Sequence, residues 1–190
     1  MARASVFTLL PFVALAACQP PASDEYVERS RIAQSGEGAS QPITSPDTTG
    51  AIWAPGGKDT RLLYGKPGER PLFAIECVDD AAGPRIAYTR FAAADPHAKA
   101  LLALIGNGHV ARFKIDAVQV NDAWLWQGSV EADIQGLDAL TGTRDVEATV
   151  PGAGSIILNA SALPGELVEN CRAQPNVEPT PGPSAPEDPA

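Results

Sequence analysis

The sequence predicts a mainly β fold: a small antiparallel β-barrel or sandwich with one short helix and a C-terminal helix tied back by a disulfide. Three observations lead there. Several short runs alternate apolar and polar residues with a period of two, which is the pattern of half-buried strands. The clearest runs come in pairs joined by turn residues, as at Asn107-Gly108, Asn121-Asp122 and Pro151-Gly152-Ala153-Gly154. The last apolar stretch, Pro164 to Cys171, follows helix-capping residues instead and ends in a cysteine.

Taken in order, Pro71 to Cys77 (Leu72, Phe73, Ile75) and Arg85 to Phe91 (Ile86, Tyr88) read as strands joined by a turn over Asp79 to Gly83. Ala98 to Ile105 has helix-cap signals at Asp95-Pro96 and Gly106, but the Asn107-Gly108 hairpin signal favours a strand. That strand pairs Leu104 with Ala111 and Leu102 with Phe113. Val110 to Val120 places Ala111, Phe113, Ile115 and Ala117 on one face, with Arg112, Lys114 and Asp116 on the other. Ala123 to Val130 alternates likewise. Closing the two at Asn121-Asp122 sets Trp126 opposite Ala117, Gly128 opposite Ile115, Val130 opposite Phe113 and Arg112 opposite Glu131. Gly136 to Thr141 reads as a short helical turn. Asp145 to Val150 and Ser155 to Leu158 form a further hairpin, and Asn159 or Ser161 caps the final helix.

Both ends of the chain read differently. Met1 to Ala17 carries Arg3 and then an apolar run broken by Pro11, too short to span a bilayer but laid out like an export signal. It ends in Leu15-Ala16-Ala17-Cys18, which resembles the lipobox of bacterial lipoproteins. That resemblance implies cleavage before Cys18, acylation of its thiol (palmitate among the chains) and stable anchoring by several acyl groups. With Gln19 rather than Asp after the cysteine, it further implies the outer membrane, facing the periplasm. The organisation is then a signal at 1–17, a lipidated Cys18 opening a disordered tether at 18–50, one β-rich domain at 51–173 and a disordered Pro-rich tail at 174–190. The tether is rich in Ser, Thr, Pro, Gln and Gly and reaches roughly 30 Å as a random coil. The tail holds six Pro and three acids with no base. With Cys18 acylated, Cys77 and Cys171 remain, and in an oxidising compartment two thiols bracketing a domain read as a structural disulfide.

Net charge is −9, with a pI near 4.6. An acidic chain does not release counterions from phosphates, so nucleic acid is not an expected partner. Two His and three Cys leave little for a metal site, and no metal or cofactor is expected. Gly106-Asn107-Gly108 and Pro151 to Gly154 lack the sequence of a phosphate cradle and read as turns. No nucleophile elbow occurs. His97, His109, Asp79, Asp80, Asp133, Asp138, Asp145 and Glu147 read as solvated surface, so no catalytic set is assigned. Trp53, Trp124 and Trp126 are the candidate binding surface. Trp124 and Trp126, at i and i+2 on one strand face, form either a stacking platform or core, with core favoured; Trp53 is a lid or an edge plug.

The segments Phe73-Ala-Ile-Glu-Cys77, Ile86-Ala-Tyr-Thr-Arg90, Leu137 to Pro151 and Leu167-Val-Glu-Asn-Cys-Arg172 resemble uncharacterised alphaproteobacterial envelope proteins, over about Leu72 to Arg172. The family pattern is an early F-x-I-x-C strand and a closing E-x-C-R helix. Where a basic segment is expected after the short helix, this chain has Gly142-Thr143-Arg144-Asp145. The resemblance implies the fold and the disulfide and carries no activity. The expected function is a non-enzymatic binding or envelope-assembly module, attached to the membrane by its lipid and contacting an envelope protein or glycan. The alternative is an inhibitor of a lysozyme-like hydrolase or protease.

Overall fold

The computed structural model describes residues 40–174. The signal, Cys18, the tether as far as residue 39 and the tail from residue 175 lie outside the described residues. Nine strands form one antiparallel sheet: β1 (Ile52–Gly56), β2 (Lys58–Gly65), β3 (Phe73–Asp80), β4 (Gly83–Ala93), β5 (Lys99–Gly106), β6 (His109–Val120), β7 (Ala123–Glu131), β8 (Val146–Val150) and β9 (Gly154–Leu158). Their order, β1-β2-β3-β4-β7-β6-β5-β8-β9, curls into a nearly closed barrel. A 3₁₀ turn at Gln135–Leu140 and the helix α1 (Leu163–Arg172) complete it.

The hairpins follow the local chemistry. Asn107 and Gly108 both take positive φ, as a tight two-residue turn requires, and Leu104 faces Ala111 and Leu102 faces Phe113. Asn121 also has positive φ, and Trp126 faces Ala117. β8 and β9 pair around Pro151 to Ala153. The turn expected over Asp79 to Gly83 is tighter, because β3 and β4 pair as far as Asp80 and Gly83.

Four expectations are corrected. The β6–β7 ladder keeps the expected register, with Trp126 opposite Ala117, but ends at Asp116 opposite Gln127; the expected pairs of Gly128 with Ile115, Val130 with Phe113 and Glu131 with Arg112 are not formed, while β7 continues along β4 and β6 along β5 on their other edges. The cause is Gly128. A Cβ there would stand 2.5 Å from the Lys114 carbonyl oxygen and 2.6 Å from Cε2 of Tyr88. Tyr88 occupies the space that glycine leaves, and its hydroxyl donates to the Lys114 carbonyl at 2.7 Å, standing in for a ladder bond. Secondly, residues 52–65 form two strands, β1 and β2, where the sequence pattern assigned none. Pro55 is tolerated because β1 is an end strand, where a missing N–H breaks no ladder. Thirdly, neither Asn159 nor Ser161 is the N-cap of α1, which is Ala162 and has no side-chain cap bond. The Asn159 side-chain amide donates to the Thr48 and Ala51 carbonyls, while the Ser161 hydroxyl accepts from the Leu163 amide at 3.2 Å.

The fourth concerns the tether. Residues 40–50 lie on the barrel as a strap, so the folded unit starts about ten residues before Ala51. The Ile43 amide donates to the Gly152 carbonyl at 2.8 Å, the Ser155 amide donates to the Ser45 hydroxyl at 2.9 Å, and Asp47 pairs with Lys66 at 2.8 Å. The strap thereby covers the Ser155 amide at the start of β9 and the Gly152 carbonyl of the turn before it, part of an edge that otherwise invites pairing with another chain.

Inward-facing residues fill the barrel. Tyr64, Phe73, Ile75, Ile86, Leu102, Leu104, Ile115 and Ile156 are all buried in one continuous core. One end is closed by α1, where Val168 and Cys171 are buried. Arg172 of the helix donates to the Ala132 carbonyl at 2.8 Å and pairs with Asp138 at 2.9 Å, which docks the helix on the 3₁₀ turn. The Cys77–Cys171 disulfide ties it to β3 across 94 residues of sequence. A cross-link closing a loop of that length stabilises by about 4–5 kcal/mol on the chain-entropy argument. Replacing both cysteines with alanine is expected to lower the unfolding free energy in urea by that order. An unchanged midpoint would show the staple to be dispensable.

Candidate functional site

The end of the barrel opposite α1 is the rim, built from the end of β4, the loop before β3, the β6–β7 turn, the β8–β9 turn and the strap. β4 does not finish regularly. Between Arg90, which faces Trp126, and Ala93, which faces Leu125, the register slips. The slip lets the Phe91 amide donate to the Leu72 carbonyl at 3.0 Å and the Ala94 amide to the Trp124 carbonyl at 3.0 Å. Bulges of this kind re-aim side chains at barrel rims. Here Ala93 and Ala94 form a low ridge with a cleft on either side. The first cleft, of about 470 Å³, is apolar apart from Arg70 and is walled by Pro71, Phe91, Trp124 and Leu125. The second, of about 430 Å³, lies under the strap between Ser40, Ile43, Asp95, Lys99, Trp126 and Gly152.

The three tryptophans therefore have different positions. Trp53 is buried, with ring centroids 5.2 Å from Tyr64 and 6.3 Å from Phe73, and belongs to the core. Trp126 is 6% exposed and forms part of the wall of the strap cleft. Trp124 is half-buried at the rim, with the His97 ring edge-on at 4.7 Å. Small-residue rim geometry, which no alternation pattern encodes, separates the roles of the two neighbours on β7.

The remaining candidates are dispersed. His97 and His109 are exposed, the latter at the start of β6. Asp79, Asp80 and Asp133 are exposed toward the helix end. Asp138 is engaged by Arg172, and Asp145 accepts from the Ala160 amide at 2.8 Å. Glu147 receives the Thr149 hydroxyl at 3.2 Å. Among the described residues, no three His, Cys, Asp or Glu side chains gather in a way that would hold a metal ion.

One rim residue escaped the sequence reading. Arg90 is 2% exposed and reaches across the barrel mouth, donating to the Leu72 carbonyl at 3.0 Å and the Ala153 carbonyl at 3.1 Å. Its signal was present, because Ile86, Tyr88 and Arg90 share the inward face of one strand. Burial pulls its pKa below the ordinary arginine value and pushes that of Tyr88 up to about 12. Asp95, at the edge of the strap cleft, is held below the usual carboxylate range by the Ser40 hydroxyl and amide.

No protein-family model, no curated protein and no solved structure matches this chain.

Two outcomes follow from the rim geometry. Trp126→Ala is expected to cost about 3–5 kcal/mol of stability, as for a core aromatic. Trp124→Ala is expected to cost about 1 kcal/mol or less. Comparable losses in urea titrations would place both rings in the core. A depressed Asp95 pKa means that its bond to Ser40 is present at neutral pH and is lost as pH falls through the folded-state value. The Ser40 amide resonance is therefore expected to titrate with a midpoint below about 3.9, the unperturbed aspartate value. A midpoint at or above that value would show that Asp95 does not hold the strap.

Proposed function

We propose that the protein is an outer-membrane lipoprotein, anchored through Cys18 and facing the periplasm, whose barrel is a non-enzymatic binding module for another envelope component. The observation that carries the binding part is the rim, where two open clefts flank the bulged end of β4 while the barrel interior is filled by its own side chains. A filled barrel offers its ends and outer surface for recognition rather than its lumen. The cleft at Trp124 combines aromatic and aliphatic walls with a single cation, Arg70, a composition that anchors a partner side chain while admitting a polar contact. Anchoring rests on the lipobox-like Leu15-Ala16-Ala17-Cys18, and the strap delivers the chain to the barrel from that side of the sequence. The acidic net charge of −9 supports inhibition of a basic lysozyme-like hydrolase as a second reading.

Photo-crosslinking groups placed in cells at Arg70 and Leu125, with Glu166 on the helix as a control position, are expected to trap one recurrent envelope protein or glycan from the rim positions only. No adduct from either rim position would sink the binding-module reading. In the same strain, Cys18→Ser is expected to abolish incorporation of labelled palmitate and to release the protein from the membrane fraction. Retained label would refute acylation at Cys18. Purified protein that leaves lysozyme activity unchanged at micromolar concentration would remove the lysozyme branch of the second reading.

A further inference from the structure

Three clefts on the outer side of the rim share walls. The cleft of about 470 Å³ at Trp124 meets a second, of about 460 Å³, at Pro71 and Phe91. The second meets a third, of about 180 Å³, at Leu63 and Pro71. Leu63 stands between the buried, inward Leu62 and Tyr64 of β2, so this surface lies outside the filled core. Together the clefts make one groove that crosses β7, β4, the loop before β3, β2 and β1, which are neighbours in the sheet. Four strand spacings of about 4.8 Å give it a length of about 19 Å. Its walls are largely apolar, with Trp124 and Phe91 as aromatic faces. Its charge runs against that of the chain: Lys58, Arg61, Lys66 and Arg70 line it with Glu69, in a chain of net charge −9. Glu76 pairs with Lys58 and Arg61, and Asp47 with Lys66, which leaves Arg70 as the cation without an ion pair among the described residues.

The chain itself contains a segment of matching length, shape and charge. Residues 175–190 follow α1 and hold three acids and no base. Within them Pro183, Pro186 and Pro189 recur every third residue. A polyproline II helix has three residues per turn, so it brings these prolines onto one face and leaves Glu187 and Asp188 on the others. From Pro183 to Pro189 that helix rises about 19 Å, the length of the groove. Proline-rich segments dock in aromatic-lined grooves in this conformation, because it is ordered before binding and loses little entropy. The reach is sufficient. Cys171 lies 5.6 Å from Cys77, Cα to Cα, near the end of α1. From Cys77 back to Pro71 the chain covers about 20 Å at the rise of a strand. Residues 175–182 span about 25 Å as polyproline II, enough to carry Pro183 from α1 to the groove.

We propose that residues 175–190 dock in this groove as a polyproline II helix, with Pro183, Pro186 and Pro189 on its apolar walls and Glu187 and Asp188 toward its basic residues. The barrel thereby carries its own competitor, and a partner that enters the Trp124 cleft must displace the tail. That competition rests on the binding role proposed for the rim. The docking does not, because it needs no partner.

The test uses the purified full chain with a photo-crosslinking residue at Leu125 or, as a control, at Ile105, which is exposed on β5. Irradiation is expected to join position 125 to a peptide within residues 175–190, and position 105 to none. In an equal mixture of nitrogen-15-labelled and unlabelled protein, the adducts are expected to be isotopically unmixed, as an intramolecular contact requires. Replacing Pro183, Pro186 and Pro189 together with Ser leaves the barrel sequence intact. This triple variant is expected to lower the adduct yield at least about fivefold, the loss of a modest contact energy. It is also expected to shift the Trp124 indole N–H resonance, and a synthetic peptide of residues 175–190 is expected to return that resonance saturably. The proposal is overturned by any of four results: no tail adduct at position 125, equal tail adducts at position 105, isotopically mixed adducts, or an unchanged Trp124 resonance in the triple variant. In-cell adducts to an envelope component are a separate readout, so either reading can fail while the other stands.

Discussion

An odd number of antiparallel strands cannot close into a barrel with every neighbour antiparallel. In this nine-stranded sheet the terminal strands β1 and β9 run in the same direction, and no ladder joins them. The seam is closed by side chains instead. The Tyr64 hydroxyl donates to the Ile157 carbonyl at 2.7 Å and accepts from the Asn159 amide at 3.1 Å, so one oxygen bridges β2 to the end of β9. The Asn159 side chain then donates to the Ala51 and Thr48 carbonyls at 2.7 and 3.1 Å, tying the end of β9 to the chain entering β1. Buried polar groups must find partners, and here two side chains satisfy backbone that a ladder would otherwise serve. Everything else about the molecule follows from this closure, because it makes the interior a single sealed core.

A sealed core needs two stoppers, and they differ in kind. At the helix end the stopper is apolar and covalent: α1 buries Val168 and Cys171 and is tied to β3 by the disulfide. At the rim it is polar: the Arg90 guanidinium spans from Leu72 to Ala153. A helix held by a disulfide has little freedom to open. The guanidinium is held by two carbonyls, one of them on the turn that also holds the strap. The asymmetry places a covalent staple at one end of the barrel and a polar clamp at the other, beside the two clefts.

Gly128 governs the middle of the sheet in a similar way. By omitting a side chain it admits Tyr88 between β7 and β6, and the tyrosine takes over the Lys114 carbonyl that the hairpin ladder has released. β7 keeps its pairing with β4 on its other edge, while the β6–β7 hairpin splays beyond Gln127. Two residues 40 positions apart thus settle where the hairpin ladder ends, which neither hairpin strand decides alone.

Local chemistry alone determined the hairpins at Asn107-Gly108 and Asn121-Asp122, the inward faces of β5 and β6 and the C-terminal helix, because turn geometry and helix or strand periodicity act between residues close in the chain; the Cys77–Cys171 pairing was read by setting Cys18 aside. Arg90 was legible in the same alternation, yet a charged residue on an inward face is overlooked until something is seen to hold it. The tertiary structure decided the rest. β1 and β2 exist because an end strand tolerates Pro55. Residues 40–50 join the domain because the edge of β9 needs cover. Trp124 and Trp126, two positions apart on one strand, part into rim and core because the β4 bulge ends the barrel wall between them. Each of these outcomes depends on which backbone groups and surfaces closure leaves unmatched, and that is known only once all nine strands are in place.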